Sequence, residues 1–349
     1  MNNNEASLRQ VAERVRVVIV NYKSAALTIA CLRSLQTEVQ ADPWIRVVVV
    51  ENASGDADAL GRAIYENGWE TWVSLIIAEQ NGGFSYGNNR GIEGALKQAA
   101  PPAYFLLLNP DTEVRKGAIR ALVEYMDAHK TVGIAGSSYE NEDGSEWPIA
   151  FRFHTLWSQL ESAVRLGLVS RVLRGWLVAK TMGREPEQTD WVAGASMMIR
   201  REVIDAIGLM DEGYFLYFEE VDYCLRALRA GWPCWYVPQS RIMHISGQST
   251  GVSGKDRNLK RMPAYWFASR SRYFVKNHGL AYARLTDLAF GLGLGIFSLR
   301  RWILRQTDSN PPGMFADFWK SSVLFCGRAE VLRRIDGQRV IAEIARQRV

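Results

Sequence analysis

Residues 103–112 read Ala103-Tyr104-Phe105-Leu106-Leu107-Leu108-Asn109-Pro110-Asp111-Thr112, and the rest of the chain can be assigned around them. The apolar run is too short for an ordinary helix and reads as a strand buried on both faces. It stops in Asn-Pro-Asp, because proline brings no amide donor to a ladder. Asp111 therefore sits at the carboxyl end of a central strand, where open α/β sheets bind their ligands. Hard cations favour such oxygen donors, and Mg²⁺ or Mn²⁺ held there can bridge a diphosphate. The alternative, that Asp111 only fixes an Asx turn or caps a helix starting near Lys116, stays open on this stretch alone.

Upstream, strands alternate with helices. Val17–Tyr22 (VVIVNY) is a buried strand, followed by a helix over about Ala25–Glu38 with Leu27, Cys31, Leu32 and Leu35 on one face. Val47–Val50 is a second strand, a helix from about Asp56 leads to a third at Val73–Ala78, and Gly82 opens a helix to about Ala99. This order predicts an α/β fold with a mainly parallel sheet and right-handed crossovers. Polar strand ends at Asn21-Tyr22, Glu51-Asn52 and Asn109–Asp111 then line one rim. Glu51 can accept from ribose hydroxyls or a base N–H, and Asn52 can donate or accept. The Gly82–Gly91 loop lets backbone amides approach a phosphate, with Arg90 to neutralise charge. It matches neither G-x-G-x-x-G nor a P-loop.

Downstream, Val132–Gly136 is a fifth strand, and residues 154–185 look helical, with Leu156, Leu160, Val164, Leu168 and Val172 at intervals of four. A strand follows at Asp190–Ile199, small residues within it permitting close approach. A helix covers about Glu202–Ile207. The aromatic run Tyr214–Phe218 then meets Glu219-Glu220-Val221-Asp222 at the head of another helix. Acids there suit the helix dipole, yet a carboxylate beside an aromatic wall and further carboxylates can be tuned as a general base. Pro233–Val237 reads as one strand and Arg241–His244 as the end of another. His244 is either a hydrogen-bonded core residue or a metal ligand.

With 48% apolar and 23% charged residues, 349 residues can build a sizeable core. A net charge of +5 and a pI near 9.0 suit an anionic substrate or membrane surface, and are too weak an excess to imply nucleic acid. Four scattered cysteines indicate neither zinc nor a disulfide framework. The polar start, MNNNEASLRQVAERVR, lacks a secretory signal's apolar core, and no run approaches the roughly 20 apolar residues of a membrane span. A cytoplasmic protein is expected.

These residues together resemble the family-2 glycosyltransferases of the GT-A fold, and most of all the bacterial rhamnosyltransferase-like branch that builds surface polysaccharides. The matching stretches are VVIVNY, VVENASGD (49–56), NGGFSYGNNRG (81–91), LLNPD (107–111), GASMMIRRE (194–202), GLMDEGYFLYFEEVD (208–222) and YVPQSRIMH (236–244). The resemblance implies a flexible leader (1–14), a GT-A catalytic domain (15–254) carrying a helical insert at about 151–189, and a helical extension (255–349). It places the nucleotide sugar on Asn21, Tyr22, Glu51, Asn52, Asn81, Gly82, Gly83, Phe84, Asn88, Arg90, Asn109 and Asp111. Glu51 stands where aspartate is usual, and Asn109 replaces the first acid of an Asp-x-Asp motif, leaving Asp111 to bind Mg²⁺ or Mn²⁺ with His244. Glu220 falls on the base, with a longer arm than the usual aspartate, and Glu219 is its rival. Trp191, Gly194 and Ala195 line the acceptor subsite.

The implied reaction is one inverting displacement, moving L-rhamnose from dTDP-L-rhamnose to a glycan or lipid-linked saccharide. A UDP-hexose donor is the second choice, and a non-catalytic sugar-binding protein of the same fold is the competing class. Beyond the motifs, Leu288–Phe297 is too short to span a bilayer and weakened by glycine, but with Arg300, Arg301, Trp302 and Arg305 it suits either a membrane interface or a helix packed on the catalytic domain or on a second subunit in a homo-oligomer. Asn310-Pro311-Pro312-Gly313 breaks the chain before a final basic helix.

Overall fold

Valine-rich runs form the first two strands, β1 (Val15–Asn21) and β2 (Ile45–Glu51), joined by α1 (Ala25–Ala41). In the computed structural model, which describes residues 12–141, 143–244 and 260–333, the alternation continues. It runs through α2 (Ala57–Glu66), β3 (Val73–Ile77), α3 (Gly83–Leu96) and β4 (Tyr104–Leu108). All four strands are parallel, in the order β4-β1-β2-β3. Successive β1 residues face opposite layers. Val17 and Ile19 pack with Leu32 and Leu35 of α1, while Val18 packs with Ile92 and Ala95 of α3. Burial on both faces explains the unbroken apolar runs.

Beyond Asp111 come a short strand missed in the sequence, β5 (Thr112–Val114), then α4 (Ala118–Ala128) and β6 (Ile134–Glu140). The expected helical insert is only half helical. After β7 (Glu146–Trp147) and β8 (Ile149–Phe151), α5 (Leu156–Val164) and α6 (Gly167–Val172) give way to β9 (Ala179–Thr181), which pairs with β8, and β10 (Glu187–Thr189). The four-residue apolar spacing is cut at Arg165, whose left-handed backbone (φ 48°) ends α5. The strand expected at Asp190–Ile199 starts later, as β11 (Ser196–Arg200), and is followed by α7 (Arg201–Ile207) and α8 (Glu219–Arg229). β11 runs antiparallel between β4 and β6. Two expected strands are one, β12 (Cys234–His244), with a register shift between Val237 and Arg241 where proline interrupts the ladder. The sheet order is β10-β12-β6-β11-β4-β1-β2-β3, with β5 on β12 and β7 on β6.

Four helices follow: α9 (Ala264–His278), α10 (Leu280–Ile303), α11 (Met314–Lys320) and α12 (Arg328–Val331). Among the described residues, the stretch expected as a final basic helix holds two short helices, and residues 334–349 lie outside the described residues, as do 1–11 of the expected leader and the expected boundary at 254. The expectation of a short, glycine-weakened segment at Leu288–Phe297 fails. α10 has 24 residues and is long and apolar enough to cross a membrane by length and composition, with 44% of that window buried in the protein. Gly291 and Gly293 are packing devices. A Cβ on Gly293 would lie 2.6 Å from the Ala163 Cβ of α5, so the backbones approach only without one. Cys31, Cys224 and Cys234 are buried free thiols, and Cys326 is a half-buried one.

Candidate active site

The carboxyl ends of the parallel strands form the expected rim. Asn21 closes β1 fully buried, and its amide is committed to the protein: it donates to Asp56 Oδ2 (2.8 Å) and accepts from Thr28 (2.8 Å) and Ser24 (3.1 Å). Asp56, missed in the sequence reading, also takes the backbone N–H groups of Ser24 and Ala25 at the head of α1. Tyr22 lies just beyond, with the Lys23 ammonium 5.5 Å from its ring. Glu51 is buried and accepts from the Ser54 backbone and hydroxyl, which fixes the turn after β2.

Asn52 donates to Asn81 (2.9 Å) and to the Gly83 carbonyl (3.2 Å), while its own Oδ1 is buried without a partner. That orphaned acceptor beside the loop is where a ligand N–H or O–H would be satisfied. Gly83 has φ +88°, and a Cβ there would strike the Phe215 carbonyl, which accepts from the Phe84 N–H at 2.8 Å. Only glycine allows this clamp between the 81–84 loop and the aromatic run. Gly82 lies against the Tyr86 ring, and Asn88 is buried and bonded within α3 to Phe84. Arg90, expected to meet phosphate, is instead ion-paired with Glu212 (2.7 Å) and Glu93 (3.0 Å). It joins Asn89, which holds Met210 and Glu212, in tying α3 to the loop before the aromatic run.

Asp111 and His244, 133 positions apart, meet because β5 pairs with the end of β12, setting His244 opposite Thr112. Asp111 Oδ1 lies 3.4 Å from His244 Nε2, with the aspartate buried. Asn109 is half-buried; its N–H donates to the Ala195 carbonyl (3.2 Å), tying the end of β4 to the segment before β11. The Tyr139 ring stands 5.7 Å from the His244 ring, and its hydroxyl donates to the Ala193 carbonyl at 3.4 Å. Burial and then the nearby Glu220 charge push that phenol well above its ordinary value. Tyr139 thus neighbours both places: its ring faces His244, and its hydroxyl meets the carbonyl of Ala193, the residue before the Gly194 N–H that holds Glu220.

Glu220 is half-buried and its Oε1 accepts from the Gly194 N–H at 3.3 Å. Glu219 is buried, with Oε2 lacking a partner. Burial raises both carboxyls, and the Glu220 charge raises Glu219 further. The residues just before them, Tyr217 (φ 73°) and Phe218 (φ 66°), are both left-handed, a conformation that bulky side chains rarely adopt. Such strain clusters at functional segments, and here it falls immediately before the acids at the head of α8. Gly194 lies against both Phe84 and Glu220, so the 81–84 loop, the acid at the head of α8 and the 191–195 segment converge at one point.

Trp191 stacks on Phe151 (centroids 4.2 Å, 17° apart) and donates through Nε1 to the Arg152 carbonyl. Beside it, His154 packs on Phe218 at 4.9 Å, its imidazole lowered by burial and then by the Arg270 charge to about 3. A neutral aromatic wall of this kind suits the apolar face of a sugar.

The site is braced from the C-terminal helices. Asp222, on α8, accepts from Tyr214 (3.2 Å), Arg226 (2.9 Å), and Lys276 and Asn277 of α9 (both 2.8 Å). Asp211 holds Arg272 and Lys276 of the same helix. Burial alone would raise the Asp211 carboxyl, but Lys276, the Gly213 N–H and Arg272 bring it down to about 2. A depressed carboxylate adds stability above its unfolded value, near 4, which is lost as pH falls toward about 2. Urea midpoints followed from neutral to acid should decline through that window. Lys276→Met should flatten the decline; an unchanged acid slope in that variant would refute the assignment.

Among the described residues no group of three His, Cys, Asp or Glu forms a ready metal cage. The pair at Asp111 and His244 nonetheless fits a divalent ion completed by substrate oxygens and water. Donors cis to one another stand roughly 3 Å apart when metal bonds are about 2.1 Å.

An N-acetylglucosaminyl-diphospho-decaprenol L-rhamnosyltransferase of Mycobacterium tuberculosis is 28% identical over 67% of this chain and 77% of its own. The dTDP-rhamnosyl transferase RfbF of Shigella flexneri is 24% identical over 63% and 69%. Among solved structures, GalNAc-T7 with UDP, GalNAc and Mn²⁺ superposes with a TM-score of 0.53 at 16% identity, covering 97% of this chain, which spans 57% of that one. The mannosyltransferase PcManGT of Pyrobaculum calidifontis, with GDP-Man and Mn²⁺, gives 0.50 at 14% over 96% and 87%. These likenesses establish the GT-A fold. The model described as glycosyltransferase-like family 2 matches residues 12–261, and the chain belongs to that family as a glycosyltransferase.

Proposed function

We propose that the protein transfers L-rhamnose from dTDP-L-rhamnose to a glycan or lipid-linked saccharide, with inversion, during synthesis of a surface polysaccharide. The sugar is supported by two relatives named for rhamnosyl transfer, and the lipid-linked acceptor by the diphospho-decaprenol in one of those names. What supports the reaction best is that Tyr139 neighbours both groups: its ring lies 5.7 Å from His244, which pairs with Asp111 (3.4 Å), and its hydroxyl meets the Ala193 carbonyl, next to the Gly194 N–H that holds Glu220.

In this reading Asp111 and His244 hold the divalent ion, which when bound offsets charge building on the departing diphosphate. Asn52 Oδ1 and Glu51 meet the nucleoside, and Trp191 backs the acceptor sugar. Glu220, held by the Gly194 N–H, takes the proton from the acceptor hydroxyl as that oxygen attacks the anomeric carbon from the opposite side. The anomeric bond to phosphate breaks as the new glycosidic bond forms, and no covalent enzyme intermediate arises.

A carboxylate with an imidazole is a softer donor set than Mg²⁺ prefers, so Mn²⁺ is expected to support more turnover. Chelation should abolish transfer. Asp111→Ala should lower it by at least about 10²-fold, the loss that removing one charge-stabilising group typically brings. Thermal shift and transfer assays over a panel of nucleotide sugars, with each ion, test the reading. Stabilisation by UDP-hexoses alone would reassign the donor, and full activity in chelator would remove the metal from the scheme.

A further inference from the structure

We propose that the outward face of α10 seats the protein on an anionic lipid bilayer. Leu285, Leu288, Leu292, Ile296, Leu299 and Ile303 are all exposed, between 42% and 65%. At about 100° per residue they fall within an arc of roughly 80°, and the stripe runs for about 27 Å. A contiguous apolar band of this length is uncommon on a free surface.

The opposite face is committed to the protein. Asp287 is ion-paired to buried Arg270, and Gly291 and Gly293 lie against Trp319 and Ala163. A helix so anchored cannot cross a bilayer without stripping those contacts, so it lies along the surface with only its stripe immersed.

Charge selects the occupant. Asp287 is the single acid in α10, and it is buried. Arg284 stands at one end of the stripe and Arg300 and Arg301 at the other, with Arg305 just beyond. A second copy laid along the stripe would set cation against cation whether parallel or antiparallel. Lipid phosphates would not. Trp302, 76% exposed among these arginines, has the amphipathic ring that favours the boundary between headgroups and acyl chains. It lines an open hollow of about 680 Å³ with Arg301, Ile303, Arg305 and Gln306. The Arg300 guanidinium also donates to the Arg165 carbonyl (2.9 Å), bringing α6, with exposed Leu168 and Val172, beside this basic end.

The docking stands on α10 alone; the lipid-linked acceptor proposed above gives it a purpose. Flotation of the full chain with phosphatidylglycerol-containing vesicles tests it. Wild type should float at low salt, less at high salt, and little with pure phosphatidylcholine. The variant Leu292→Ser/Ile296→Ser/Leu299→Ser should keep its helical circular dichroism and its transfer to a soluble acceptor. It should partition on the order of tenfold more weakly. Arg300→Gln/Arg305→Gln should lose the salt-sensitive part. Wild type that stays at the bottom, or a triple-serine variant that floats equally, overturns the proposal. So does a wild-type dimer in sedimentation that the triple variant converts to monomer without any flotation. Flotation without transfer of any sugar would overturn the transferase reading and leave the docking intact.

Discussion

Glu220→Gln is expected to lower kcat by roughly 10²–10⁴-fold, the usual worth of a positioned general base, with little change in donor KM. The amide keeps the shape and can still accept from the Gly194 N–H, but it cannot take the acceptor's proton. Glu219→Gln is expected to keep turnover within about an order of magnitude of wild type. The two also differ in stability. Burial raises Glu219 well above its ordinary value, so its favourable contribution is complete below the unfolded value and lost as pH rises through the folded one. At neutral pH that carboxyl therefore costs stability, and Glu219→Gln should raise Tm. The pH profile of kcat/KM should fall on the acid side at a value above the ordinary glutamate range, since burial also raises Glu220. If Glu219→Gln abolished turnover and Glu220→Gln spared it, the roles would be exchanged.

Asp287→Ala should destabilise the protein by about 3–5 kcal/mol, the loss that follows when one member of a buried ion pair is removed. Arg270 is fully buried, its guanidinium lying 4.8–5.5 Å from the rings of Phe274, Phe290 and Phe318. It donates to Asp287 and to Gln159, and the other Asp287 oxygen accepts from Ser322 and the Val323 N–H. Removing the carboxylate strands a charge among aromatic rings and frees two donors at once. Denaturant unfolding of the variant gives the magnitude. The apolar replacement Arg270→Met/Asp287→Leu should recover only part of the loss, because it removes the stranded charge but leaves the Ser322 and Val323 donors and the Gln159 oxygen without their partners. A loss under about 1 kcal/mol for Asp287→Ala would mean that water reaches the pair.

The parallel half of the sheet was legible because burial on both faces writes continuous apolar runs, as in β1, β2 and β4. Asp111 was legible for a related reason: a proline turn at a strand end can be placed without knowing what surrounds it. Partners were not. The ion pairs of Arg90 with Glu212 and Glu93 engage a side chain that the sequence offers equally to phosphate. Nor is the amide of Asn21 distinguishable from a free one until Asp56, Thr28 and Ser24 are seen around it. Tyr217 and Phe218 carry no mark of left-handed backbone, since neither residue type favours it. In α10 the glycines misled because helix propensity counts their cost and not the close contacts that Gly293 permits with α5 and Gly291 with α11.

The bracing of α8 from α9 reaches beyond stability. Lys276 and Asn277 grip Asp222 two positions past Glu220, so the orientation of the proposed base is inherited from a part of the chain remote from it in sequence. A chimera that grafted this nucleotide-binding half onto another enzyme's tail would give the helix foreign cations to answer to. Divergence among such enzymes is therefore constrained to proceed in α8 and α9 together.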